Sequence, residues 1–226
     1  MRFHSLALAA AGALSIVSLA APAEAATYTF NPVGVVNGKT VSISGTPSGN
    51  LTVSAGMFKL TGISGSPDFD AYCIDLSRNI AGPGVPPWHY DPSYTISTDA
   101  WGTNFTAAQM NDVRKLAHYA FTTSLTDLQK AAMQVAIWKV LYPSFTYASG
   151  VSGLIAQANT YHTTLLPTLT STAGIAFLES KNTPRKQGLV VMIPEPATWA
   201  MLITGFGMVG LGLRRRQKAG FTHAIA

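Results

Sequence analysis

The 226-residue sequence predicts an α+β domain, an antiparallel β-sandwich or barrel with a helical insertion of two to three helices, followed by a single C-terminal transmembrane helix. Three observations predict it. Short segments rich in Thr, Val, Tyr, Phe and Ile, parted by turn clusters, occupy 27–105. Two threonine–glutamine capping boxes then introduce apolar residues at helical spacing. Finally, an uncharged run from Ala197 to Leu213 stops on Arg214, Arg215 and Arg216.

The first 25 residues read as a signal peptide. Arg2 gives the positive start, an apolar run follows from Leu6 to Leu19, and Ala23 and Ala25 frame a small-x-small cleavage site. The domain is expected over 26–193. Its strands are TYTF, TVSI, LTV, MFKLTG and DAYCID, and spacing of this kind suggests a sandwich or barrel. The segment 81–92, AGPGVPPWHYDP, is expected to be a surface loop, because proline gives up ladder hydrogen bonds.

Helices are expected to start at Thr106 and Thr126, each with glutamine three residues on. Met110, Val113, Leu116 and Ala120 form the apolar stripe of the first; Leu128, Ala131, Val135, Trp138 and Leu141 form that of the second, which Pro143 ends. A third, weaker helix covers about 152–165. Strands at 174–179 and 188–193 complete a β, then α, then β order, which is the α+β pattern.

The run 197–213 reaches the lower limit of a helical membrane span, with Trp199 where an interfacial aromatic belongs and the arginines marking the cytoplasmic side. A short cytoplasmic tail, 218–226, is expected after it. Four of the five net positive charges (Arg214, Arg215, Arg216 and Lys218) lie beyond residue 196, and Arg2 is balanced by Glu24. The exported body is therefore close to neutral. Nucleic-acid binding, which needs a clustered basic face, has no support in the sequence.

Pro194, Glu195, Pro196, Trp199, the glycine-rich span and the arginine cluster together resemble the PEP-CTERM sorting signal of Gram-negative bacteria, placed here at 194–217. The resemblance implies recognition by an exosortase, a precursor tethered to the inner membrane by the C-terminal helix, and delivery to the cell surface or extracellular matrix.

In an exported chain thiols usually end in disulfides, yet Cys73 is the only cysteine. It lies in FDAYCIDL, a setting typical of a small buried hydrophobe. Gln134 lies near an apolar helix stripe, one turn before Trp138, where an amide needs a partner. Singly, each reads as structural: an inert thiol, and an amide bonded to sheet backbone.

Together, aromatic-Cys-apolar and the helical Gln-x-Ala-Ile-Trp resemble the thioester domain of bacterial surface adhesins, with Met133 where the familiar motif has threonine. The resemblance implies an internal thioester between Cys73 and Gln134, shielded by Tyr72, Trp138 and Tyr142. It also implies covalent adhesion to an amine or hydroxyl of a surface or matrix partner, a protein lysine or a polysaccharide. No turnover and no cofactor are expected.

Two alternatives stand beside it. A cysteine enzyme would draw a base from His89, His118 or His162, oriented by Asp70, Asp75 or Asp91, but no nucleophile signature is present. A non-covalent carbohydrate or matrix-binding module would use Trp88, His89, Tyr90 and Trp101. No metal is expected: there is one thiol, and Asp68, Asp70 and Asp75 do not fit a calcium-loop spacing.

Overall fold

The computed structural model describes residues 27–80, 88–93, 105–149, 151–193 and 204–210. Nine strands and three principal helices follow in the order β1 Tyr28–Val35, β2 Lys39–Thr46, β3 Gly49–Ala55, β4 Phe58–Ile63, β5 Phe69–Cys73, β6 Trp88–Ser93, α1 Ala107–Thr122, α2 Asp127–Leu141, β7 Thr146–Ser149, α3 Leu154–Asn159, β8 Ile175–Ser180 and β9 Leu189–Met192. Six strands close an antiparallel barrel in the order β1-β4-β5-β9-β8-β6, and β3-β2-β7 form a separate sheet. The α+β expectation holds, with both a barrel and a second sheet.

Period-two alternation sets the strand faces. In β4, Phe58 and Leu60 are buried while Lys59 and Thr61 are exposed. In β8, Ile175 to Leu178 are all buried, because the barrel interior covers one face and α1 lies over the other. Arg114 of α1 sits 4.9 Å over the Phe177 ring, a cation–π contact that fixes the helix on that strand.

The expected loop at 81–92 is corrected in part. Residues 88–93 form β6, which closes the barrel between β1 and β8. Pro92 is tolerated because β6 pairs with β1 only through Trp88, His89 and Tyr90. Among the described residues the strand is paired from Asp91 onward on its β8 side, and a proline is tolerated where a strand lacks a ladder partner on one side. The first of the turn clusters expected between the strands, NPVG at 31–34, likewise lies inside β1, where the register shifts between Pro32 and Gly34 and Gly34 takes a φ of 98°. A bulge, not a turn, uses that glycine.

Both capping boxes form as expected, with Thr106 paired to Gln109 and Thr126 to Gln129. Gln109 does more: its Nε2 donates to the Val140 and Leu141 carbonyls at 2.9 and 3.1 Å, so the start of α1 caps the end of α2. The predicted stripe of α1 is the buried one. On α2, however, burial extends round the helix, taking in Ala132, Met133, Gln134, Ala136 and Ile137. It is a core helix, packed among α1, α3 and β3. The third helix continues past α3 as a π-helical turn, Thr160–Leu165, and a 3-10 turn, Leu166–Thr168.

Of the expected membrane span, residues 204–210 are described and helical; the remainder lies outside the described residues. Among the described residues no helix is long and apolar enough to cross a membrane.

Candidate functional site

Cys73 is the last residue of β5, and its backbone needs partners on both sides. On the β9 side the ladder runs through the neighbours of Cys73, with the Ile74 N–H donating to the Gly188 carbonyl at 2.9 Å. The Cys73 N–H and C=O therefore point to the opposite edge. There the pairing with β4 has already stopped at Ala71. The Gln134 side chain fills that gap. Its Oε1 accepts from the Cys73 N–H at 2.8 Å, and its Nε2 donates to the Cys73 carbonyl at 2.7 Å. A side-chain amide thus extends the ladder by one peptide-like unit, with both residues wholly buried.

Two consequences follow for the Gln134 carbonyl. The Cys73 N–H polarises it in a dry site, as a single oxyanion-type donor does. The pairing also holds the amide, across the β5–α2 boundary, against the backbone of the residue that carries the chain's one thiol.

The sulfur is held from the other side by the turn that follows. Its S–H donates to the Asp75 carbonyl at 3.4 Å, and the same carbonyl accepts from Gln187 Nε2 at 2.6 Å. The Asp75 carboxylate turns back on its own segment, accepting from Ser77 N, Ser77 Oγ and Arg78 Nη1 at 2.8, 2.5 and 3.3 Å. The Tyr142 hydroxyl accepts from the Leu76 N–H at 3.1 Å.

Burial pushes the Cys73 thiol far above its usual value, and the Asp75 carboxylate adds to the shift; the Asp75 backbone and the Trp138 side chain oppose it. Trp138 is 2% exposed, and its indole Nε1–H has no hydrogen-bond partner of full geometry. An orphaned buried donor is costly, and this one belongs to the side chain that eases the charge on the sulfur.

Burial also raises the Asp75 carboxyl above its ordinary 3.8, outweighing Ser77 and Arg78, which lower it. The folded chain then holds that proton more tightly than the unfolded chain, so the contribution favours folding at low pH and is lost as pH rises through the raised value. Wild-type stability relative to Asp75→Asn is expected to fall as pH rises from the ordinary carboxyl value, as read from urea midpoints over about pH 3 to 7. A flat difference would remove Asp75 as the titrating group.

Of the three expected shielding residues, two border the site. Trp138 follows Gln134 by one helical turn, and Tyr142 caps the end of α2. Tyr72 does not: alternation sends it to the other face of β5, where its ring lies 5.6 Å from that of Phe121.

The histidines weighed as bases lie elsewhere. His118 Nδ1 is 3.0 Å from the Ala173 carbonyl, His89 Nδ1 is 3.2 Å from Thr29 Oγ1, and His162 sits on the π-helical turn. Asp68 accepts from the Gly62 N–H at 2.8 Å, a turn contact. Asp70 is exposed on β5. Among the described residues no cluster of ligating side chains could hold a metal ion. Trp101 lies outside the described residues, and of Trp88, Tyr90 and Asp91 only the backbone of β6 is described.

Sequence reasoning missed Gln187, buried at 8% exposure, and the Asp75 carbonyl that it shares with the thiol. It also missed a cavity of about 330 Å³ with Cys73 and Trp138 in its wall, together with Ser54, Phe58, Asn79 and Gln187.

The comparisons with known proteins bear on both ends of this description. A model of the PEP-CTERM protein-sorting motif matches residues 193–216. The chain carries that signal, which implies a membrane-anchored precursor, processed by an exosortase and exported. No curated protein matches the chain in sequence. Among solved structures it is similar to the N-terminal thioester domain of the fibronectin-binding protein SfbI from Streptococcus pyogenes, at 11% identity and a TM-score of 0.43, over 75% of this chain and 94% of that one.

Proposed function

We propose that the exported domain, residues 26–193, carries an internal thioester between Cys73 and Gln134 and uses it to attach covalently, once, to a nucleophile on a surface or matrix component. The observation that carries this reading is the double hydrogen bond between the Gln134 amide and the Cys73 backbone. It holds the amide against the backbone of the residue that carries the thiol, while the N–H polarises the oxygen that must take up charge. The sulfur adds to that carbon, the carbon–nitrogen bond breaks, and ammonia leaves carrying the thiol proton. Attachment reverses the logic: an amine or hydroxyl takes the acyl group and the thiol returns. Such an event consumes the bond, so the protein acts as an adhesin without turnover and needs no cofactor.

A second reading has its own observation. The same two bonds satisfy the Gln134 amide fully, and a thiol pushed far up by burial is inert. Cys73 and Gln134 would then be structural, and the domain a non-covalent matrix module.

Intact mass separates the two. With termini fixed by sequencing, the wild-type chain is expected to lie one ammonia below its sequence mass. Cys73→Ala and Gln134→Ala are each expected to show full mass. A wild type of full mass with a thiol that titrates on unfolding would leave the structural reading standing.

A further inference from the structure

The cavity beside Cys73 bears on what the bond reacts with. Its wall contains two aromatic rings, Phe58 and Trp138, one hydroxyl, Ser54, and two carboxamides, Asn79 and Gln187; the rest, apart from Cys73, is aliphatic or glycine. None of the lining side chains is charged. At about 330 Å³ it stands at the small end of ligand pockets.

We propose that this cavity admits a neutral, hydroxyl-bearing ring, a sugar unit of a polysaccharide, and delivers one of its hydroxyls to the acyl carbon of Gln134, a proposal that rests on the thioester reading above. Hydroxyls and carboxamides both donate and accept, so Ser54 and Asn79 at the exposed rim and Gln187 deeper in match a polyol. The Phe58 and Trp138 rings supply apolar faces for its carbons.

A lysine side chain meets the opposite conditions. Its ammonium would lose water without finding a counter-charge, and only about one lysine in a thousand is neutral at pH 7.4.

The step balances within the site. The hydroxyl oxygen bonds to the acyl carbon, the carbon–sulfur bond breaks, and the hydroxyl proton passes to the departing sulfur. An ester and a free Cys73 thiol result. Burial makes that sulfur a strong base, which suits it to take a hydroxyl proton. The unpartnered indole N–H of Trp138 stands ready to ease its charge on the way.

The test uses the full chain after its ammonia deficit has been verified. It is incubated at pH 7.4 with methyl glucoside or with Nα-acetyl-lysine methylamide at matched concentration, and adducts are read by intact mass. The glucoside ester is expected to form at least about tenfold faster, a margin of about 1.4 kcal/mol. Ser54→Trp, which plugs the rim, is expected to keep the deficit and lose at least about tenfold in ester formation. Asn79→Leu is the second variant should Ser54→Trp fold poorly.

Faster addition of the lysine probe overturns the proposal while leaving the thioester standing, as does an unchanged rate in the rim variants. A wild type with no deficit overturns both.

Discussion

Gln134→Ala is expected to leave the folded chain about 2–6 kcal/mol less stable than Cys73→Ala, in which the amide is intact, because it orphans two buried backbone groups at about 1–3 kcal/mol each. Those groups are the Cys73 N–H and C=O, which lie where the β4 pairing has ended; among the described residues the Gln134 amide is what meets them. Against a typical total of about 5–15 kcal/mol, the loss is a large fraction.

Gln134→Glu gives a sharper readout. One carboxyl oxygen can still accept from the Cys73 N–H, but the other faces the Cys73 carbonyl and needs a proton to donate to it. The folded state therefore binds that proton more tightly than the unfolded state. By linkage the variant should approach the stability of Cys73→Ala at low pH and lose it as pH rises through the raised value. Urea midpoints across pH for Cys73→Ala and both Gln134 variants are the measurement. A Gln134→Ala variant as stable as Cys73→Ala would mean that the amide does not complete the ladder.

How far the sequence reveals this site depends on which contacts are local. Capping boxes are local, so Thr106 and Thr126 announce their helices, and the α1 stripe follows from spacing alone. Export, near neutrality of the body and the sorting tail are local also. Strand pairing is not. Pro92 argues against a strand until β8 is seen to pair with it, and NPVG resembles a turn until β4 runs alongside.

Gln134 shows the limit most clearly. Its position near an apolar stripe signals that it needs a partner, and burial all round α2 makes that need absolute. The partner is a residue 61 positions away, reached because one strand ends early. A motif resemblance can pair the two names. Only the register of β4 against β5 explains why the backbone of Cys73 is open to receive an amide. Gln187 carried no sequence signal at all, since its role depends on β9 lying next to β5.

Cys73→Ala is the second expected result of large effect, and its magnitude separates a covalent tie from two hydrogen bonds. If Cys73 is only buried filling, truncation removes one buried atom and costs about 1 kcal/mol. Both hydrogen bonds survive, since they use the backbone of residue 73. If the thioester is present, truncation also removes a cross-link that spans 61 residues. By the loop-entropy relation for disulfides, that constraint is worth about 4 kcal/mol. The bond has its own cost, because ammonia carries away the nitrogen that donated to the Cys73 carbonyl and leaves that oxygen short of a partner, about 1–3 kcal/mol.

The expected loss on Cys73→Ala is therefore about 2–4 kcal/mol, well above the filling value. Opening the wild-type bond with methylamine should bring a fall of about 1–3 kcal/mol without any substitution, since the amide it leaves on Gln134 restores an N–H donor but not the tie, and the buried sulfur stays. Equal stability of wild type, methylamine-treated wild type and Cys73→Ala would show that sulfur and carbonyl never join. A shared loss in the last two, with Gln134→Ala lower still, would show that one glutamine serves the fold twice, through its hydrogen bonds and through the acyl carbon it yields to Cys73.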